Sequence, residues 1–306
     1  MMAPLAPSAN SKGDRVHFLQ QVINGIAQGC IYGLIAIGFV LIYKATETVS
    51  FVQGELMMLG AFLGLVLITV LGIPYWLAVP TTLIAMMAFG ILVERVAISP
   101  ILGEPTFSIV MLTLGIGYVA RGAVMMIPEL GTELQVLPVP YRDQSVAIGG
   151  LIIGIERLVV LVVTAGLCLM LYLMFRFTRI GVAMQAASQS QSAAFYMGIP
   201  VRRLNGRVWG MAAGVAAIAG LLLAPIVMID SNMGFIGLKA FPAAVVGGMA
   251  SLPGAVVGGM VIGVIESLAG YLLPEGFKDV AAYIVVLIML MVRPNGLFGG
   301  QVHKKV

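Results

Sequence analysis

Charge is what this 306-residue chain has least of. Lys, Arg, Asp and Glu make up 10% of it, against 60% hydrophobic residues. A soluble globular domain needs far more charged surface than that, so this class is excluded. Histidine and cysteine are scarce too, at two each. His17 and His303 lie toward the chain ends, and Cys30 and Cys168 fall inside apolar runs. Neither pair suggests a metal site or a disulfide framework. Phosphate-binding and hydrolytic signatures are also missing. The dipeptide Gly-Lys never occurs, so there is no G-x-x-x-x-G-K-[ST] loop, and H-E-x-x-H and G-x-S-x-G are likewise absent. The chain is therefore expected to carry no catalytic constellation, to hold no cofactor and to bind no ATP itself.

What remains is apolar. Nine segments stand out, at 20–43, 51–71, 75–93, 106–127, 151–175, 206–229, 236–250, 254–273 and 277–292. Several exceed the ~18 apolar residues that cross a bilayer. They are continuously apolar rather than alternating, which points to helices and not a barrel. The 38 glycines suit helices that pack closely in lipid. The expectation is an all-α polytopic membrane protein, one domain over 20–299 with eight or nine transmembrane helices. The count turns on "SLPG" at 251–254, where Pro253 and Gly254 mark either a kink or a reversal. Residues 1–19, Pro- and Ser-rich at their start and without an apolar signal core, are expected to form a disordered tail. Residues 300–306 form a second short tail.

The net charge of +4 sits in loops, where it orients the chain rather than attracting nucleic acid. The stretch 176–207 holds Arg176, Arg179, Arg202, Arg203 and Arg207 with no acid, and the C-terminal tail is basic. Both are expected on the cytoplasmic side, with the acidic loop 128–150 outside. That requires nine crossings and an external N-terminus. Lys12 and Arg15 argue the other way, and eight crossings is the alternative.

Two stretches share a pattern. "IYKATETVSFVQGELMMLGAFLG" follows the first long segment and "DSNMGFIGLKAFPAAVVGGMASLPG" follows the sixth. Each is a polar linker, then a Phe-led apolar segment that ends in glycines. In the nine-span topology they run oppositely, as interrupted helices of inverted repeats do.

Ionisable residues in an apolar setting are functional candidates. Glu55, beside Gln53 at the mouth of the second segment, reads either as a helix-end carboxylate or as a group on a pathway. Glu266 needs a partner or a water cavity. Lys239 reads as a snorkelling anchor or as a group facing an anion. Arg121 is expected to snorkel toward the external surface, and Glu94/Arg95 and Glu156/Arg157 to anchor at the interfaces. Within the Arg-rich loop, Val182–Met197 reads as a helix closed by Gly198 and Pro200. Its small-residue face, with Ala183, Ala186, Ala187 and Ala194, suits either a groove on another protein or the chain's own base.

Four stretches in order resemble the permease subunits of branched-chain amino acid ABC importers, the smaller of the paired permeases. They are "GIAQGCIYGLIAIGFVLIYKATETVSFVQGELMMLGAF", "RIGVAMQAASQSQSAAFYMGIPV", "GLKAFPAAVVGGMASLPGAVVGGMVIGVIE" and "VRPNGLFG". The resemblance runs from about residue 20 to 299. It implies a pathway shared with a second, usually non-identical permease. It also implies two cytoplasmic ATPase subunits that bind the ATP, a periplasmic substrate-binding protein, and the bacterial inner membrane as setting. Gln53, Gly54, Glu55, Lys239, Phe241 and Glu266 are then pathway candidates. Gly181, Ala183, Gln185, Ala186, Ala194, Gly198 and Ile199 are candidates for the coupling loop that docks on the ATPases. Gln53 stands where many members have His, and Gln185 where many have Arg. The wider family also carries urea, short amides and aromatic acids. The competing class is an ion-coupled secondary transporter acting without ATPases.

Overall fold

The computed structural model describes residues 11–128, 131–142, 144–148, 151–274 and 276–299. All nine apolar segments are helical over most of their length. They form α1 (Ser11–Thr46), α2 (Gln53–Thr69), α3 (Tyr75–Val93), α4 (Thr106–Met125), α5 (Ile155–Phe177), α8 (Val201–Val227), α9 (Ile236–Gly247), α10 (Leu252–Leu272) and α11 (Phe277–Val292). The Arg-rich loop contributes α6 (Arg179–Gln189) and α7 (Gln191–Tyr196). Among the described residues, six helices are long and apolar enough to cross a membrane. The stretches Gln53–Thr69 and Met233–Gly247 are apolar but shorter.

Helix starts follow local chemistry. Thr178, Ser190 and Ser251 each accept a hydrogen bond from a backbone N–H three residues on, capping α6, α7 and α10. Pro74, Pro105 and Pro200 stand just before α3, α4 and α8. Proline cannot extend a helix backward at no cost, so each marks a clean boundary.

The structure corrects three expectations and decides a point left open. Residues 11–19 are the opening turns of α1 rather than a disordered tail, because adding residues to a helix already nucleated costs little; residues 1–10 lie outside the described residues. Leu151–Gly154 is not part of the fifth helix but strand β2, paired antiparallel with β1 (Ser145–Ile148). The β-branched pair Ile152–Ile153 suits a strand. The helix expected over 182–197 is broken at Ser190, whose extended backbone (φ −161°, ψ 110°) ends α6 and begins α7. "SLPG" separates two helices: Gly248 has φ +102°, open to glycine, and Ser251 caps α10.

Glycine stripes hold the centre together. α1 is the core helix, with 89% of its apolar window inside the protein. Its Gly25, Gly29 and Gly33 abut Gly263, Gly259 and Val256 of α10, and a Cβ on Gly29 would sit 2.6 Å from Met260 Cα. α8 repeats the device against α3, where Gly206, Gly210 and Gly214 meet Glu94, Ile91 and Met87. A glycine every fourth residue lines one face of a helix and lets backbones approach.

These contacts give each helix a direction between two faces. The Arg-rich-loop face carries α6 and α7, and Gln191 there donates to the Ala45 carbonyl at the end of α1 (2.8 Å). The hairpin face carries β1 and β2, and Gln20 near the start of α1 donates to the Ile152 carbonyl (3.2 Å). After α1 the chain turns at Glu47 (φ +53°) back into the interior, where α2 begins. α2 runs beside α8 in the same direction, from Gln53 at Ala212 to Gly64 at Leu221, toward the hairpin face. After α8 the chain turns at Met228 (φ +53°) and re-enters through a tight turn, Met233–Phe235. α9 then runs to the Arg-rich-loop face, where the backbone N–H groups of Leu297 and Phe298 donate to the carbonyls of Val246 and Gly247. α2 and α9 thus start side by side and run to opposite faces. Glu47 and Met228, the non-glycine residues with positive φ among those described, sit at the two corresponding reversals.

Candidate functional site

The starts of α2 and α9 meet in the interior through glycine. A Cβ on Gly54 would lie 2.9 Å from the Cα of Gly237 and closer still to the Gly234 carbonyl. Glu55 lies in the first turn of α2, where the unpaired N–H groups of a helix start favour negative charge. Its Oε1 accepts a hydrogen bond of 2.5 Å from Arg121 Nη2 of α4. The guanidinium lies over the Phe235 ring, 3.9 Å from its centroid. Gly117 on α4 leaves room for the Glu55 side chain. One turn earlier, Thr113 Oγ1 accepts from the Phe51 backbone N–H (3.3 Å). Arg121 is therefore buried and paired rather than snorkelling, because a guanidinium at this depth finds a carboxylate nearer than water.

A second ionic group ties α9 to its neighbours. Lys239 Nζ donates to Asp279 Oδ1 of α11 at 2.5 Å and lies 3.7 Å from Glu266 Oε1 of α10. Glu266 is fully buried. Lys239 is thus a bridge between two carboxylates and not a free snorkelling anchor. Phe39, Phe51 and Phe241 form a ring cluster between the helix starts, with centroids 5.4–6.4 Å apart. Gln53 is fully buried, and its amide donates to the Ala212 carbonyl (2.8 Å).

The six pathway candidates therefore gather in one layer where α2 and α9 begin. Sequence reasoning missed Asp279, Phe235 and Phe39. The signal for Asp279 was available: a carboxylate near the start of an apolar segment, in a chain whose lysine at 239 needed partners. Glu94 also departs from expectation. It is buried against Gly206 of α8 instead of anchoring at an interface, because the close α3–α8 approach encloses it.

In the Arg-rich loop, Met184, Ala187 and Ala194 are buried, and Ala183, Ala186 and Ile199 half-buried. The small-residue face thus packs largely on the chain's own base. Gly181 abuts the Phe175 backbone, and Gln185 donates to the Phe175 carbonyl (3.2 Å). What projects outward is Val182, Phe195, Tyr196 and Met197. Gly198 is exposed with φ +83°. On the opposite face, the Tyr141 hydroxyl meets that of Tyr75 at 2.9 Å. Burial, and then this hydrogen bond, push the Tyr141 phenol above its ordinary range.

Residues 21–292 match the family model of the branched-chain amino acid transport system permease component. The chain belongs to this family of permeases. It is 30% identical over 302 residues to the high-affinity branched-chain amino acid transport system permease protein BraD of Pseudomonas aeruginosa, covering 95% of this chain and 98% of that one. It is 31% identical over 306 residues, with the same coverage, to the LivH permease protein of the corresponding system in Escherichia coli. A probable LivH permease of Methanocaldococcus jannaschii is 28% identical over 282 residues, covering 87% of this chain and 88% of its own. No solved structure matches the permease. The candidate layer and the Arg-rich loop both lie inside the matched region.

Proposed function

We propose that this permease is one half of the translocation pathway of a binding-protein-dependent ABC importer for branched-chain amino acids or related small amides and organic acids. The observation that carries this is the family match across 21–292, supported by an interior in which two helices begin side by side beneath paired charges. The chain performs no covalent chemistry. Its partners are a second, non-identical permease, two cytoplasmic ATPases that hold the ATP, and a periplasmic binding protein that delivers substrate in the bacterial inner membrane.

The nine apolar helices alternate in direction, which fits nine passages with an external N-terminus and a cytoplasmic coupling-loop face. Two inverted halves, α1–α4 and α8–α11, account for the matched reversals at Glu47 and Met228 and for the exchanged packing of α1 on α10 and α8 on α3. The exposed Phe195, Tyr196 and Met197 beside Gly198 suit docking on the ATPases. ATP-driven motion of the ATPase pair then passes through α6 and α7 to the ends of α1 and α8. Residues of the candidate layer open or close the path in response.

Gentle solubilisation followed by mass spectrometry of the bound partners tests this. Two Walker-type ATPases and a second permease should co-purify, and uptake by reconstituted vesicles should require ATP. Ion-driven uptake by the chain alone would replace this function with a secondary transporter.

A further inference from the structure

The ends of α1 and α5 and the start of α10 come together at the Arg-rich-loop face around a groove of about 920 Å³. That is within the ~300–1,000 Å³ of sites that hold small molecules. Its two ends differ in chemistry. Lys44, two residues before the end of α1, and Arg176, one residue before the end of α5, stand at the face itself, with Gln185 and Ser251 beside them. Away from the face the walls are apolar. Leu169 lies eight residues before the end of α5 and Ile37 nine before the end of α1, about 12 and 14 Å in at ~1.5 Å per residue. Val256 and Val257, in the second turn of α10, supply the third wall. All three helices are long and apolar enough to cross a membrane. Leu169 and Val257 are exposed, so the apolar part opens sideways toward the bilayer.

The two cations are not neutralised. Lys44 Nζ lies 5.8 Å from the centroid of the Phe175 ring, and Arg176 donates to the Tyr172 hydroxyl. Neither forms an ion pair with a described residue, and no carboxylate lines the groove. A ring and a hydroxyl orient these charges without cancelling them. The start of α10 adds partial positive charge at the same end. The neighbouring cavity, lined by Arg95, Arg202, Arg203 and Arg207, differs in having the buried carboxylate of Glu94 in its wall.

We propose that the α1–α5–α10 groove holds an anionic phospholipid of the adjacent leaflet, its phosphate between Lys44 and Arg176 and an acyl chain along Ile37, Leu169 and Val257. A water-soluble anion would leave the apolar walls bare. A zwitterionic lipid would bring its own cation against two others. A lipid of net negative charge satisfies both ends, with charge at the interface and hydrocarbon below it. Val182 and Gln185 put α6 in the same wall, so the lipid also braces the Arg-rich loop against the membrane.

Phosphatidylglycerol and phosphatidylcholine, each with a photoactivatable diazirine on an acyl chain, test this in nanodiscs holding the permease with the subunits that co-purify. Peptide mapping should place phosphatidylglycerol adducts on residues 167–176 and 252–257, about tenfold or more above those of phosphatidylcholine. Lys44→Gln with Arg176→Gln should bring the two probes level. Lys44→Arg with Arg176→Lys should retain most of the excess, which separates lost charge from lost fold. Arg203→Gln removes a charge from the same face outside the groove and should change nothing. Groove adducts without a phosphatidylglycerol excess, or an excess that Arg203→Gln abolishes equally, would overturn the proposal. Loss of the excess in millimolar inorganic phosphate at constant ionic strength would give the cations to a free anion instead. A groove free of both probes, with adducts elsewhere on α5, would make a protein subunit the occupant.

Discussion

Gly54 of α2 and Gly237 of α9 lie in backbone contact, so that the two helix starts occupy the space side chains would otherwise take. Opposed helices can begin at one point in a protein interior only if neither carries a Cβ there.

Gly54→Ala should therefore overpack the junction and cost ~1–3 kcal/mol. Gly115→Ala on α4, where a Cβ would meet nothing within 4 Å, should leave stability unchanged. Thermal melts of the detergent-solubilised protein, followed by tryptophan fluorescence or by loss of the monodisperse peak, compare the two. Equal melting temperatures would show that the junction is loose.

Arg121 is buried and Glu55 largely so, and removing one partner leaves a charge without compensation. Glu55→Gln or Arg121→Gln alone should cost ~3–5 kcal/mol. The double variant should cost clearly less than the sum, since it buries no orphan charge. A double-mutant cycle on melting temperature measures this, and strict additivity would mean that the two side chains act independently.

Gln53 donates to the Ala212 carbonyl and is fully buried. Gln53→Leu should cost ~0.5–1.5 kcal/mol by removing that hydrogen bond, while the Ala212 carbonyl keeps its partner within α8. It should leave the order of preference among transported substrates unchanged. Competition uptake assays check the second part, and an altered preference would bring Gln53 onto the substrate's route.

Gly198 adopts φ +83° with open space around it. Gly198→Ala meets no clash but strains the backbone by ~1–2 kcal/mol, tilting the exposed Phe195–Met197 segment. Substrate-stimulated ATP hydrolysis by the assembled importer should fall, while the melt of the membrane-embedded part stays within error. Undiminished ATP hydrolysis would place the ATPase contact elsewhere.

The lesson of Arg121 and Lys239 is about partners. Both are visible in the sequence as charges in apolar runs, Arg121 as a snorkelling residue and Lys239 as either a snorkelling anchor or a group facing an anion. Their partners, Glu55 and Asp279, are 66 and 40 residues away along the chain, beyond any helical periodicity. Likewise the small-residue face of α6 and α7 was legible as a face. That it packs mainly inward, leaving Phe195, Tyr196 and Met197 outward, depends on where α1 and α5 end.

The sequence by itself determined that this is a helical membrane protein, where its apolar segments run, and to which family of permeases it belongs. Composition and long apolar runs suffice for the first two, because lipid demands internally satisfied helices, and the family shows in motifs that are continuous in the chain. Only the tertiary structure decided that α2 and α9 begin against each other, that the interior charges pair across α2–α4 and α9–α11, and that Glu94 is buried. Those outcomes come from close approach at glycine, which brings distant segments together at distances no local pattern encodes.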